Sequence, residues 1–369
     1  MRSMDGRMED TVPFGAMVLM EASTIALTIL AKTALTGGMS PFVFVVYTNA
    51  LGSLLLVPYS FLFHQHERTD RTFFTLNFII CTLLLGFTGV FLFQNLAFMG
   101  LSYSSPIVVC AMGLQTPALS YLLSLALGKA KLEWERTTTR GKVIGTLVSL
   151  TGAMVEVIYL GPYTRPSPSS SPNSLLSRHL VFFKNSDNWV LGCFLLACAS
   201  LSVSAWNFIQ VDTVRKYPQV MKVVAAYSLA GTVQCSIFSA IMESDLNAWK
   251  LKPNMDLMLI IATGIFGSII RTSVHVKCAK LKGPYYVPLF KPFGILWATI
   301  FGTSFFVNSL HYGSVLGATV AGIGYLMIMW GQVHEEEDKN HMNQKGEIIN
   351  NTQETVPLLR ENDAVDGHV

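Results

Sequence analysis

The sequence predicts an all-α polytopic membrane protein with ten transmembrane helices, arranged as two inverted five-helix repeats. Three observations predict it. The 369-residue chain is 51% hydrophobic and only 13% charged, with a net charge of +3 and a mean hydropathy of +0.44. Soluble domains carry about a quarter charged residues and need them to solvate a surface. The apolar residues arrive in blocks of about 20, the length that crosses a ~30 Å hydrocarbon layer at ~1.5 Å per residue. A Pro/Ser-rich stretch, residues 161–187 (GPYTRPSPSSSPNSLLSRHLVFFKNSD), splits the blocks five and five and has the composition of a disordered connector.

The first repeat covers 13–160 and follows a polar segment, 1–12, with no small-residue cleavage site, so a cleaved signal peptide is not expected. Its spans fall at 13–34, 41–63, 73–98, 104–127 and 140–160. The second repeat, 188–331, has spans at 188–210, 219–242, 255–274, 284–306 and 311–331. Spans two and seven open on Pro41 and Pro218, where the missing N–H costs nothing. Spans four and nine carry Pro117 and Pro292 inside, which predicts a kink in each because proline removes one backbone bond and crowds the turn before it. Spans five and ten begin with Gly141, Gly145 and Gly152, then Gly313, Gly317 and Gly324, at one constant offset. The pairs Gly141/Gly145 and Gly313/Gly317 predict close helix packing. Matching punctuation in halves of odd helix number implies an inverted-topology duplication. The tail, 332–369, opens with HEEED and reads as a disordered, solvated segment.

Lysine and arginine set the orientation. With the N-terminus in the cytosol, the inner segments hold thirteen of them, among them Arg68, Arg71, Arg215 and Lys216, and the outer loops hold five, Arg165, Arg178, Lys184, Lys250 and Lys252. Positive residues collect on the cytosolic side, so both termini are expected there, with the 161–187 linker outside.

The segments QNLAFMGLSYSSP (94–106), GKVIGTLVSLTGAM (141–154), YLGP (159–162), KLKGPYYVPLFKPFG (280–294) and GSVLGATVAGIGYLMIMWG (313–331) resemble the plant walls-are-thin-related or UMAMIT family of the drug/metabolite transporter superfamily, with an EamA-type domain in each half. The resemblance runs from about Pro13 to Gly331. It implies a ten-helix bundle that moves amino acids, with some members handling auxin or other metabolites. The chain departs from the family's usual pattern in having Lys291 where relatives carry an uncharged polar residue, and Asn308 where they often have Glu.

Charges inside a bilayer are costly and are functional candidates by default. Glu21 and Lys291 each lie about eight residues, roughly 12 Å, from the cytosolic end of their spans. Equal depth and opposite sign predict an ion pair that a zwitterionic substrate could exchange into. Lys32, Lys222 and Arg271 sit within about two turns of span ends, within snorkelling reach of the interface. Glu156, near the end of span five, reads as a solvated mouth residue. Asn49, Asn95, Gln115 and Asn207, with Gln210 and Gln234, supply donors and acceptors for an organic solute in an apolar cavity. Each of these amides could equally serve as an interhelical hydrogen bond. Gln115 stands out as mid-span and just ahead of Pro117. The substrate-binding set expected from the sequence is therefore Glu21, Asn49, Asn95, Gln115, Asn207 and Lys291.

Nothing points to an enzyme, a cofactor, a metal or nucleic acid. The chain has no GxxxxGK[ST] phosphate loop and no HExxH. His64, His66, His275 and His311 lie at span ends, where solvation accounts for them. Cys81, Cys110, Cys193, Cys198, Cys235 and Cys278 fall in or beside apolar blocks as small hydrophobes. Trp189 and Trp330 fit an interfacial aromatic belt, and Trp297 carries no stacking motif. In the tail, Glu354, Leu358 and Leu359 have the form of an acidic dileucine signal read by adaptor proteins. The expected partners are the lipid bilayer and a small organic solute, at the plasma membrane or, through that signal, an endomembrane such as the vacuole. A homodimer is allowed. A carrier of organic anions, such as auxin, nucleotide sugars or phosphorylated metabolites, and a non-transporting receptor are the other readings.

Overall fold

A computed structural model describes residues 2–62, 75–130, 133–158, 189–217, 219–251, 253–283, 285–305 and 312–355. Among them the regular structure is helical, and nine helices are long and apolar enough to cross a membrane. They are α1 (Arg2–Thr36), α2 (Pro41–Leu62), α3 (Leu76–Tyr103), α4 (Pro106–Ala126) and α5 (Thr137–Ile158), then α6 (Trp189–Lys216), α7 (Val220–Met242), α8 (Met255–Lys282) and α10 (Tyr312–Thr355). The chain is a polytopic membrane protein. The segment between α8 and α10 is broken. Here α9 consists of a 3-10 turn, Pro288–Phe290, and a helix of 13 residues, Phe293–Phe305. Thirteen residues rise about 20 Å, short of a ~30 Å core. Pro288 and Pro292 cause the break, since neither can donate to the turn before it.

Two differences from the sequence reading have physical reasons. The disordered tail expected from Gln332 is instead helical as far as Thr355. Residues 332–349 hold four Glu, two Lys and two Gln, which favour helix, no proline follows until Pro357, and Glu335 pairs with Lys142 of α5. The second difference is that α3 and α8 each carry a π-turn. In α3 it is Phe87–Leu92 and in α8 Phe266–Arg271, each six residues long and flanked on both sides by α-helix of 11 residues. Such bulges displace carbonyls from the regular ladder. Hydroxyls meet two of them: Ser202 of α6 donates to the Thr88 carbonyl at 2.8 Å and Thr272 to that of Gly267 at 3.1 Å. The 161–187 linker, Pro218, Asn308, His64, His66, His311, Leu358 and Leu359, and the side chain of Glu354, lie outside the described residues.

The helices pack in related pairs. α2 lies on α7, and α5 on α10. α1 touches α8 and α9, while α6 touches α3 and α4; α2 also meets α8 where α3 meets α7. α5 and α10 approach most closely. A Cβ on Gly152 would fall 2.4 Å from the backbone N of Ala321, and one on Gly324 2.4 Å from that of Ser149. Gly145 and Gly317 lie in the same seam, Gly141 faces the ring of Trp330, and Gly313 is buried at its start. Small residues here let two backbones touch, which is how helices associate where lipid removes the hydrophobic drive. The largest apolar core sits between α1, α4, α6, α9 and α10, around Ile25, Ile107, Val108, Leu196, Ile295 and Tyr325.

Candidate functional site

The break in α9 holds Lys291 opposite α1. Its Nζ lies 3.7 Å from Glu21 Oε1, with the lysine side chain 43% exposed and the glutamate 5%. The cation is thus the more accessible member of the pair. Proline on either side of Lys291 frees backbone from the helical ladder, which in a bilayer is tolerated only in protein or around a water-filled cavity. Gly294, one turn on, leaves room: a Cβ there would stand 3.7 Å from Glu21 Oε2 and 3.9 Å from Cys110 Sγ. Tyr325 of α10 donates to the Pro288 carbonyl at 2.6 Å and braces the turn. Toward the N-terminal end of α1, Phe14, Tyr286, Phe290 and Phe293 close ranks, with ring centroids 5.0–6.3 Å apart.

The amides expected to line the site are mostly turned to other helices. Gln115 is buried and doubly bonded to α5: its Nε2 donates to the Ser149 carbonyl at 3.0 Å and its Oε1 accepts from the Ser149 hydroxyl at 2.9 Å. α4 breaks between Gly113 and Thr116, just ahead of Pro117, which sets that amide against α5. Asn49 of α2 exchanges bonds of 2.6 and 3.1 Å with Gln94 of α3. Asn95 donates to the Phe91 carbonyl at 2.8 Å and toward Cys235 Sγ at 3.6 Å, leaving its buried Oδ1 unpartnered. Asn207 is half-buried on α6. Of the six candidates, the structure brings together only Glu21 and Lys291. We expect Gln115→Ala to lower the thermal unfolding midpoint, by roughly 1 kcal/mol of stability, while the solute concentration giving half-maximal flux stays within twofold.

Three further residues differ from their sequence reading. Lys32 does not snorkel outward; it is buried, and its Nζ donates to the carbonyls of Leu101 and Ser102 at 2.9 Å each, at the C-terminal end of α3. A cation there meets helix-end carbonyls that otherwise lack partners. Lys32→Met is therefore expected to destabilise the fold by about 1–3 kcal/mol, measured as a lower melting midpoint in detergent. His275 lies within α8, not at a solvated end, and its Nε2 is buried without a partner. Glu156, expected in a wet mouth, is fully buried. A sequence signal for that existed: Gly145, Gly152 and Glu156 are spaced by seven and four, so they share the helix face that meets α10.

Comparison with known proteins agrees with this architecture. Residues 14–157 match the EamA-like transporter family. The chain is 70% identical to the WAT1-related protein At1g60050 of Arabidopsis thaliana, over 97% of this chain and 98% of that one. It is 63% identical to the WAT1-related protein At1g70260 of the same plant, over 93% and 92%. A solved crystal structure superposes with a TM-score of 0.51 at 16% identity, covering 87% of this chain and 96% of its own, a likeness of fold alone. With near-complete coverage at that identity, the chain belongs to the WAT1-related, EamA-like transporter family of plant membrane proteins.

Proposed function

We propose that the chain is a secondary transporter or facilitator that moves amino acids or similar small organic solutes across a plant membrane, through a midplane site between two inverted five-helix halves. The helix contacts support the inversion. Adding five to each helix of the first half, and subtracting five in the second, turns the α1–α8 contact into α6–α3, α1–α9 into α6–α4, and α2–α8 into α7–α3, all of which occur. α2–α7 and α5–α10 map onto themselves. The π-turns fall in the third helix of each half, at the same distance from its start, and the fourth helix of each half is broken near its proline. Five is odd, so with the broken α9 counted as a crossing the halves enter the membrane from opposite faces in this reading, and the Lys/Arg asymmetry supports cytosolic placement of both termini.

The Glu21–Lys291 contact carries the proposal. An α-amino acid has one carboxylate and one ammonium; the first can take Lys291 from Glu21 while the second takes Glu21. Both charges then stay partnered throughout, so the buried Glu21 carboxylate is never left without a cation. Uptake and efflux of labelled neutral amino acids in proteoliposomes tests this. Saturable flux supports the proposal, and flux no greater than in empty vesicles overturns it. The greater exposure of Lys291 favours a second reading, a carrier of organic anions. If organic anions outcompete neutral amino acids in the same vesicles, that reading replaces the first.

A further inference from the structure

The buried carboxyl of Glu156 has no role in the contact just described. Glu156 lies two residues before the end of α5, fully buried, and neither oxygen has a hydrogen-bond partner among the described residues. At that level α5 and α10 are in backbone contact: a Cβ on Gly317 would fall 2.8 Å from Glu156 Cβ. The described elements packed there bring no counter-charge. α10 offers Gly317 and, in the shared core, Ala318. α4 and α6 offer the thiols of Cys110 and Cys193, both within electrostatic reach of Glu156. α9 offers Trp297. On α5 itself the cations are Arg140 and Lys142, sixteen and fourteen residues away, the first bonded to the Trp134 carbonyl and the second to Glu335. No described cation answers the carboxyl.

A second observation marks the same place. Ala153 and Val157, the neighbours of Glu156, pack on the core that also receives Trp189 and Trp297, and both indole N–H groups are buried without acceptors. Unmet acceptors and unmet donors thus flank one core. In a packed interior such groups normally find each other or water. Leucine or methionine would fill the seam without this deficit, and an ionisable side chain at membrane depth is a functional group by default. Cys110 ties the position to the solute site, since Glu21 and Lys291 lie within its electrostatic reach as well.

We infer that Glu156 is a proton-binding site that couples transport to a proton gradient. With the α5–α10 seam closed, the carboxylate holds a proton taken from the aqueous phase; when the bundle opens, water reaches it and the proton leaves, restoring the carboxylate. One O–H bond forms and the same bond breaks, with no other change. The coupling rests on the transport reading above, but the site does not.

Two measurements on the full-length purified protein separate those claims. Infrared difference spectra between acid and alkaline buffer, without solute, should show a protonated-carboxyl C=O band that is lost in Glu156→Gln and shifted in Glu156→Asp. In proteoliposomes with labelled neutral amino acids, a gradient of one pH unit should drive up to about tenfold accumulation per proton, falling to near equality inside and out in Glu156→Gln. A band unchanged by Glu156→Gln overturns the proton site. Undiminished accumulation in that variant overturns the coupling. If the wild-type protein moves no solute at all, the transport reading fails while the infrared result still decides the site.

Discussion

Lys291→Ala is expected to reduce solute flux at least about tenfold per molecule of surface protein, the scale of one lost charge-assisted contact at roughly 1.4 kcal/mol or more. The reason is specific to the geometry. Removing the lysine leaves the Glu21 carboxylate 5% exposed and without its cation, and an uncompensated buried charge costs up to about 3–5 kcal/mol. The solute loses its anion contact, and its ammonium meets a glutamate forced to find another partner. Two groups that act as one unit do not add. Lys291→Ala with Glu21→Ala should therefore be no slower than Lys291→Ala alone, and should melt higher. Lys291→Arg, which keeps the charge, should retain measurable flux. Radiolabelled uptake normalised to surface biotinylation checks all three, and wild-type flux in Lys291→Ala would retire the site.

The second large effect is on the fold. Gly324→Leu should abolish the folded protein, and Gly152→Leu should do the same. A Cβ on either glycine meets backbone nitrogen at 2.4 Å, and backbone, unlike a side-chain tip, has no other rotamer to adopt. α5 and α10 would have to separate, breaking the seam that holds Gly145, Ser149 and Gly317 and the Gln115–Ser149 bonds beneath it. Overpacking of a core costs about 1–3 kcal/mol; here the whole interface moves, so the loss should exceed that range. By contrast Gly15→Leu, with nothing within 4 Å of the new Cβ, should be silent. Fluorescence-detected size-exclusion elution of tagged variants distinguishes these outcomes directly.

Much of this architecture could be read from the residues because it depends on local properties. Blocks of apolar residues mark where the nine long membrane helices begin within about three positions, while several run on past the predicted ends, α8 by eight residues, and the glycine spacing of α5 and α10 marks a close-packed face. Glu21 and Lys291 could be matched because depth in a span is a linear count along the chain. What the chain hides is tertiary. Gln115 reads as either a solute contact or an interhelical bond, and only Ser149, 34 residues on, decides between them by taking both its ends. Lys32 reads as a snorkelling cation, because nothing nearby reveals that the end of α3 abuts it. Glu156 looks wet from its place near a helix end, and only the contact with α10 dries it. The π-turns leave no mark at all: FTGVFL and FGSIIR contain no proline.

Those two turns have a consequence for length. A π-turn is an α-helix that has absorbed an extra residue while its two flanks keep the faces they had before. Deleting one residue within Phe87–Leu92 or Phe266–Arg271 would straighten the rod and leave both ends pointing as they do now. The same deletion elsewhere in a regular span would swing everything beyond it by about 100°, given 3.6 residues per turn. Within α3 and α8, then, the chain carries its tolerance for a shortened sequence at one interior address in each half.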